Sequence, residues 1–408
     1  MTSASNAKVK AGVLAIAFIV LCGNSVSPLL AGMAQSYPEA GTGGVQMVMV
    51  ISMLVALVLT LATGFLTRFL PMKVLTLVGL GSLTVGGLMP LALNGSITEI
   101  YISAALMGVG QGICIPMVQT FIARFFEGGE KSQMFGLQTT FKNLGGMVFL
   151  LAAGALASTT ILNADKPWVN AYLVYLIFVP VILIALVGLP MGEPVKAQES
   201  GAKGGGVALP ALGAIVLVAL FVAGYSAMGM NLSMQVEAGG LAATGAGAGV
   251  SSIAMAIATA LGAVAGICFK SLLGALKNFL FGVSAFIVAA GMALIYLSPA
   301  VGTVFVVYAG TLLVGFGYGL ALSAVADAIA RVSKPQQIPL SMSFYGMAAT
   351  IGGALSPTIM NSLNPMLFGA GANAVTIFAV AASFMVIVAI LSLVWGVSVK
   401  GYFAAKGE

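Results

Sequence analysis

The sequence predicts an all-α membrane protein, with twelve transmembrane helices in two pseudo-symmetric six-helix bundles. Three observations predict it. Of the 408 residues, 60% are hydrophobic and 6% charged, with a mean hydropathy of +1.12. A water-soluble domain cannot hide that much apolar surface, so the solvent is lipid. The apolar runs reach the ~20 residues that cross a bilayer as a helix. They far exceed the ~10-residue alternating segments of a membrane barrel, the other architecture that lipid permits. Finally, the second half of the chain repeats the first.

Runs bounded by charge or by Gly, Pro and Asn clusters give the spans in order. The first, 11–36, follows Lys8 and Lys10. It is too long for the apolar core of a signal peptide and lacks a clear A-x-A site, so it is expected to be retained. The second, 44–66, stops before Arg68, and the third, 73–93, starts at Lys73. The fourth, 99–122, ends before Arg124; the fifth, 133–158, begins after Lys131; the sixth, 169–190, follows Lys166. Then comes "MGEPVKAQESGAKGGG", Met191 to Gly206, the one long polar, glycine-rich stretch, which reads as a flexible linker. The expected organisation is therefore an N-terminal bundle (1–190), a cytoplasmic linker (191–206) and a C-terminal bundle (207–408). The second bundle holds spans 208–234, 246–269, 278–298, 302–326, 340–362 and 374–397.

With the N-terminus in the cytoplasm, all of the 16 basic residues except Lys166 and Lys142 fall on the cytoplasmic side. The net charge of +6 is thus an orientation signal and not a nucleic-acid footprint. The expectation is a multi-pass protein of the plasma (inner) membrane with both termini cytoplasmic. There is no His, and Cys22, Cys114 and Cys268 are far apart in apolar runs, which suggests neither a metal cluster nor a disulfide framework. No cofactor is implied, and no nucleophile–base set points to an enzyme.

The repeat is carried by "GVGQGICIPMVQTFIAR" (Gly108 to Arg124) and "GFGYGLALSAVADAIAR" (Gly315 to Arg331). The same offset carries Gly145-Gly146 onto Gly352-Gly353. "GNS" at Gly23 with Met33 echoes "GYS" at Gly224 with Met234. Two like-oriented halves imply an axis along the membrane normal, with a ligand site near the midplane.

Twelve spans, a six-plus-six repeat and a linker after the sixth resemble the major facilitator superfamily. The resemblance covers nearly the whole chain and implies an alternating-access transporter whose cavity is lined by spans 1, 2, 4, 5, 7, 8, 10 and 11. The family's loop between spans 2 and 3 usually reads Gly-x-x-x-Asp-Arg-x-Gly-Arg-Lys. Here "GFLTRFLPMK" keeps Gly64 and Lys73 but has Arg68 at the Asp position and Pro71 at the second Gly. In span 4 the family glycines are Gly108, Gly110 and Gly112, but the usual Arg is Ala104; late in span 5 the Gly-Pro of proton antiporters is Leu150-Leu151. These departures weigh against drug/proton antiport and leave the fold untouched.

Lys142 stands about 16 Å along span 5 from Lys131, too deep to snorkel easily. A central Lys costs on the order of 2.5–3.5 kcal/mol, so it should face water or a partner. Gln138, Lys142, Gly146, Thr139 and Asn143 share one helical face. Lys142 then reads as the counter-ion of an anionic substrate, as a lysine satisfied by helix carbonyls or by a neighbouring Gln or Asn, or as a lysine carried uncharged. The repeat places Ala349 opposite it, so the cation is not duplicated. Further substrate-site candidates are Gln138, Asn143, Asn24 with its repeat mate Tyr225, Gln111 with Tyr318, Tyr345 (mate of Gln138) and Asn231. For each the alternative is an ordinary interhelical hydrogen bond. Met228, Met230 and Met234 would form an adaptable wall or simple packing.

A cytoplasmic latch is expected from Asp327 with Lys270 (Arg331 being the local partner), and from Arg68 with Glu127 or Glu130. Ordinary surface pairs are the alternative. No carboxylate lies at mid-span, which removes the usual proton carrier; Glu237 is the residual candidate. The expected function is a secondary transporter of a small organic anion, a carboxylate, moved inward. A multidrug exporter and a transporter-like sensor that binds without transport are the alternatives. The expected partners are the lipid bilayer and a small-molecule substrate, with no nucleic acid and with a monomer as the working unit.

Overall fold

The structure, a computed structural model, describes residues 3–67, 69–192, 209–333 and 337–399. Arg68 and the linker from residue 193 onward lie outside the described residues. The chain divides into two compact units, Met1–Glu199 and Ser200–Glu408, and among the described residues there is no strand.

The first unit holds α1 (Ser3–Ile19), a 3₁₀ stretch (Cys22–Leu29), α2 (Leu30–Ser36), α3 (Gly41–Leu66), α4 (Met72–Ala92), α5 (Ile97–Phe125) and α6 (Gly128–Leu156). A second long 3₁₀ stretch (Pro167–Ile177) leads into α7 (Phe178–Gly188). The second unit holds α8 (Leu209–Ala238), α9 (Gly247–Leu276), α10 (Leu280–Val301), α11 (Val304–Val332), α12 (Ile338–Phe368) and α13 (Thr376–Ser398). Each expected span falls on helix. Among the described residues ten stretches are long and apolar enough to cross a membrane, Gly247–Val301 covering α9 and α10 together, and α12 carries the expected eleventh span.

The first span differs from a plain α-helix. Pro28 has no N–H to offer the Asn24 carbonyl, and its ring crowds that carbonyl in α geometry. Ser25 Oγ takes the Cys22 carbonyl at 2.6 Å, competing with the main chain. The result is eight residues of 3₁₀ winding in a span where the sequence pattern predicts helix with a kink at Pro28. Tyr175, in the other 3₁₀ stretch, fastens this segment: its hydroxyl lies 2.8 Å from Ser25 Oγ and 3.3 Å from Cys22 O.

The sequence repeat is a repeat of backbone contacts inside each unit. A Cβ on Gly108 would come 2.5 Å from Ser52 O, and one on Gly112 2.6 Å from Ala56 O, both on α3. In the second unit a Cβ on Gly315 would overlap Ala258 O, and one on Gly319 would come 2.5 Å from Gly262 O, both on α9. A Cβ on Gly110 would come 2.6 Å from Gly79 O, and one on Gly317 2.8 Å from Ser284 O. Gly145 lies against Phe18 O as Gly352 lies against Ala219 O. Without a hydrophobic drive between helices in lipid, close backbone approach supplies the packing. Bulky side chains meanwhile face outward, Ile267 at 82% exposure among them, as lipid allows. Hydroxyls within the spans bond back to their own helix, as Thr76 does to Met72 O and Ser392 to Val388 O.

The loop before the second 3₁₀ stretch hangs on Asn170. Its Oδ1 accepts from the Leu162 and Asn163 amides, and its Nδ2 donates to Thr159 O and Asn163 O, all within 2.6–3.0 Å. Asn170→Leu would leave all four groups unpaired. The purified protein is expected to lose about 2 kcal/mol or more, read as a lower thermal midpoint.

Candidate functional site

In the first unit the 3₁₀ stretch brings Gly23, Asn24 and Val26 to the wall of a cavity of ≈ 150 Å³. Every wall residue belongs to this unit. Met49, Ser52 and Met53 come from α3, Met107 and Gln111 from α5, and Tyr172 from the second 3₁₀ stretch. Among the described residues the wall carries no charged side chain. Gln111 reaches across because Gly23 has no side chain; a Cβ there would overlap its amide nitrogen. That amide makes only a long contact to Cys22 Sγ, at 3.8 Å. Asn24 is exposed into this space.

Lys142 is not a wall residue. It lies half-buried on α6, and among the described residues it has no hydrogen bond or ion pair. Asn143, also half-buried, has none either. One turn before Lys142, Gln138 Oε1 is buried without a partner. One turn after it, Gly146 packs on Leu21, which is part of the cavity wall. The polar face read from the sequence thus borders the cavity without joining it.

In the second unit the repeat mates of Asn24 and Gln111 behave differently. Tyr225 on α8 and Tyr318 on α11 stack, with ring centroids 3.8 Å apart and planes at 15°, and Phe221 continues the stack at 6.3 Å. Tyr345 donates to Leu322 O at 3.2 Å. Asn231 is 1% exposed, and its Nδ2 donates to Ala227 O on its own helix. Met228, Met230 and Met234 are buried packing residues of α8.

Of the latch residues, Asp327 Oδ2 pairs with Arg331 Nε at 2.8 Å, and Glu130 pairs with Lys10 at 2.6 Å. Lys270 and Glu127 are exposed and form no ion pair among the described residues. Glu237 Oε1 accepts from the amides of Gly245 and Gly247 at 3.0 Å each, clasping the loop into α9. A carboxylate held this way by two N–H groups is a loop fastener. Glu237→Gln keeps an acceptor oxygen, so the pH profile of transport is expected to be unchanged; an abolished pH dependence would make it a proton carrier.

The sequence reading missed Ser52, Met49, Met53, Met107 and Tyr172. The one available signal was Ser52, the sole hydroxyl in the run Met47 to Leu59.

The sequence matches the family model described as Major Facilitator Superfamily over residues 13–357. The chain belongs to the Major Facilitator Superfamily. No curated protein matches its sequence. Solved structures share the superfamily fold at low identity. The nucleoside transporter NupG aligns with a TM-score of 0.75 at 12% identity, over 96% of this chain and 99% of that one. The POT family transporter PepTSo aligns at 0.74 and 13%, over 96% and 98%. A bacterial homologue of the human lysosomal transporter Spinster, inward-facing and unoccupied, aligns at 0.72 and 13%, over 97% and 96%. This superfamily member is accordingly a multi-pass membrane transporter.

Proposed function

We propose that this superfamily member is a secondary transporter working by alternating access, carrying a small organic carboxylate inward across the plasma membrane, with both termini in the cytoplasm. The observation that carries the reading is Lys142, half-buried in α6 without a protein partner among the described residues. An amine at mid-span needs an acceptor, and neither the helix carbonyls nor Gln138 supplies one. A substrate carboxylate would. Gln138 and Asn143, on the same face, would orient it. The ion pairs Lys10–Glu130 and Asp327–Arg331 would open during the cycle; each is more than a quarter exposed, and pairs of this kind are worth ~0–1 kcal/mol.

Uptake into proteoliposomes of labelled carboxylates, cations and neutral drugs tests the reading. Saturable carboxylate flux is expected. Saturable flux of cations without anions would reject it. The uncharged, Met-lined cavity favours a second reading, export of apolar drugs; transport restricted to neutral compounds would select that one.

A further inference from the structure

We infer that the cavity of the first unit is a subsite for the uncharged body of the ligand, an aromatic or branched apolar group of about one ring carrying a neutral polar substituent. The inference rests on the carboxylate reading only for the ligand's other end.

Three features of the wall carry it. The volume, ≈ 150 Å³, matches that of an apolar cavity which accepts a benzene-sized group. The surface is mostly Met, Val, Leu, Ile and Ala, and the thioethers of Met49, Met53 and Met107 pack favourably against ring edges. Two uncharged polar side chains line this space unpaired: among the described residues the Asn24 and Ser52 side chains make no hydrogen bond. The Gln111 amide contacts only a sulfur. Donors and acceptors left open around an apolar void are the pattern that fixes one orientation of a small organic ligand. A charged group has nothing to meet there, because no wall side chain is ionised near neutral pH.

The repeat supplies a contrast. Positions 24 and 111 flank the opening in the first unit, whereas Tyr225 and Tyr318 close ring on ring in the second. Two aromatic rings are therefore a stable filling between the matching helices, which shows the kind of group such a space takes. The Gly23 contact keeps the void open by letting Gln111 lie flat over the 3₁₀ stretch.

The test is calorimetric titration of the full chain in lipid nanodiscs with acetate, phenylacetate and phenylacetamide. Phenylacetate is expected to bind about tenfold or more tighter than acetate, the discrimination an apolar pocket gives for a ring-sized group. Ala104→Leu, which projects three more carbons from the cavity wall, is expected to erase that advantage and leave acetate binding unchanged. Ser52→Ala, a smaller change, is expected to weaken phenylacetamide several-fold and provides the reading should Ala104→Leu fail to fold. Equal binding of acetate and phenylacetate overturns the inference while leaving the carboxylate reading intact. Phenylacetamide binding that Ala104→Leu or Ser52→Ala weakens, with neither carboxylate binding, supports the subsite and removes the carboxylate reading. Absence of binding by both phenyl compounds, or an advantage that survives both variants, overturns the inference.

Discussion

Replacing Lys142 by Met is expected to abolish carboxylate uptake while making the ligand-free protein more stable. The two halves of that result have one cause. Without substrate, the lysine sits half-buried in α6 with no acceptor among the described residues. Holding a basic residue at bilayer depth costs on the order of 2.5–3.5 kcal/mol, which an isosteric thioether largely removes. With substrate, the same residue is the proposed electrostatic anchor. Truncating one partner of a desolvated charge pair costs about 2–5 kcal/mol, roughly 30-fold to several thousandfold in affinity. Melting curves of purified protein and proteoliposome uptake read the two effects separately. Lys142→Arg keeps the charge on a larger head and is expected to retain part of the flux. Unaltered uptake in Lys142→Met would remove the counter-ion role, and a lowered melting point would mean that the amine has a structural partner.

The second large effect concerns a glycine. Gly145→Val is expected to prevent the first unit from packing, seen as a collapse in yield of folded protein or a loss of several kcal/mol in stability. A Cβ at this position would overlap the Phe18 carbonyl and crowd its Cα at 3.1 Å. Those are main-chain atoms of α1, which cannot rotate aside as a side-chain tip would. Overpacking of a tight contact costs ~1–3 kcal/mol, and more when backbone must move. Gly136, nine residues earlier on the same helix, is the control. Among the described residues nothing beyond its own helix backbone and neighbours lies within 4 Å of a Cβ there, so Gly136→Ala is expected to be neutral or to stabilise by up to about 1 kcal/mol. Equal behaviour of the two variants would show that helix propensity, not the crossing with α1, governs this segment. Gly352→Val should repeat the loss in the second unit, where Ala219 O takes the place of Phe18 O.

These glycines explain why so much of the architecture was legible. Span positions follow from apolar run length, because lipid demands it at every residue. Gly108, Gly110, Gly112 and their mates stand out in one dimension because each acts through the side chain it lacks, so spacing alone reports the contact. The cavity was less legible. Asn24 and Gln111 were found by their polarity and by the repeat. Met49, Met53 and Met107 look like any packing methionine, and only the fold shows that they border a void while Met228 and Met230 do not. The Tyr225–Tyr318 stack depends on which faces of α8 and α11 meet, and the sequence leaves that open. Pro28 signalled a disturbance of the first span but not its form. The charged candidates were the least legible: Asp327 had both Lys270 and Arg331 in reach, and Glu130 was matched to Arg68 in place of Lys10. The structure pairs them with Arg331 and Lys10.

The 3₁₀ winding of Cys22–Leu29 alters angular phase along the first span. A 3₁₀ helix advances 120° per residue and an α-helix 100°. Over eight residues the slip amounts to about 160°, nearly half a revolution. A helical wheel drawn through the whole span therefore puts Leu30 to Ser36 on the wrong side. A substitution scan along it will show the same α-helical period up to Ile19 and from Leu30, with its phase offset by about that angle.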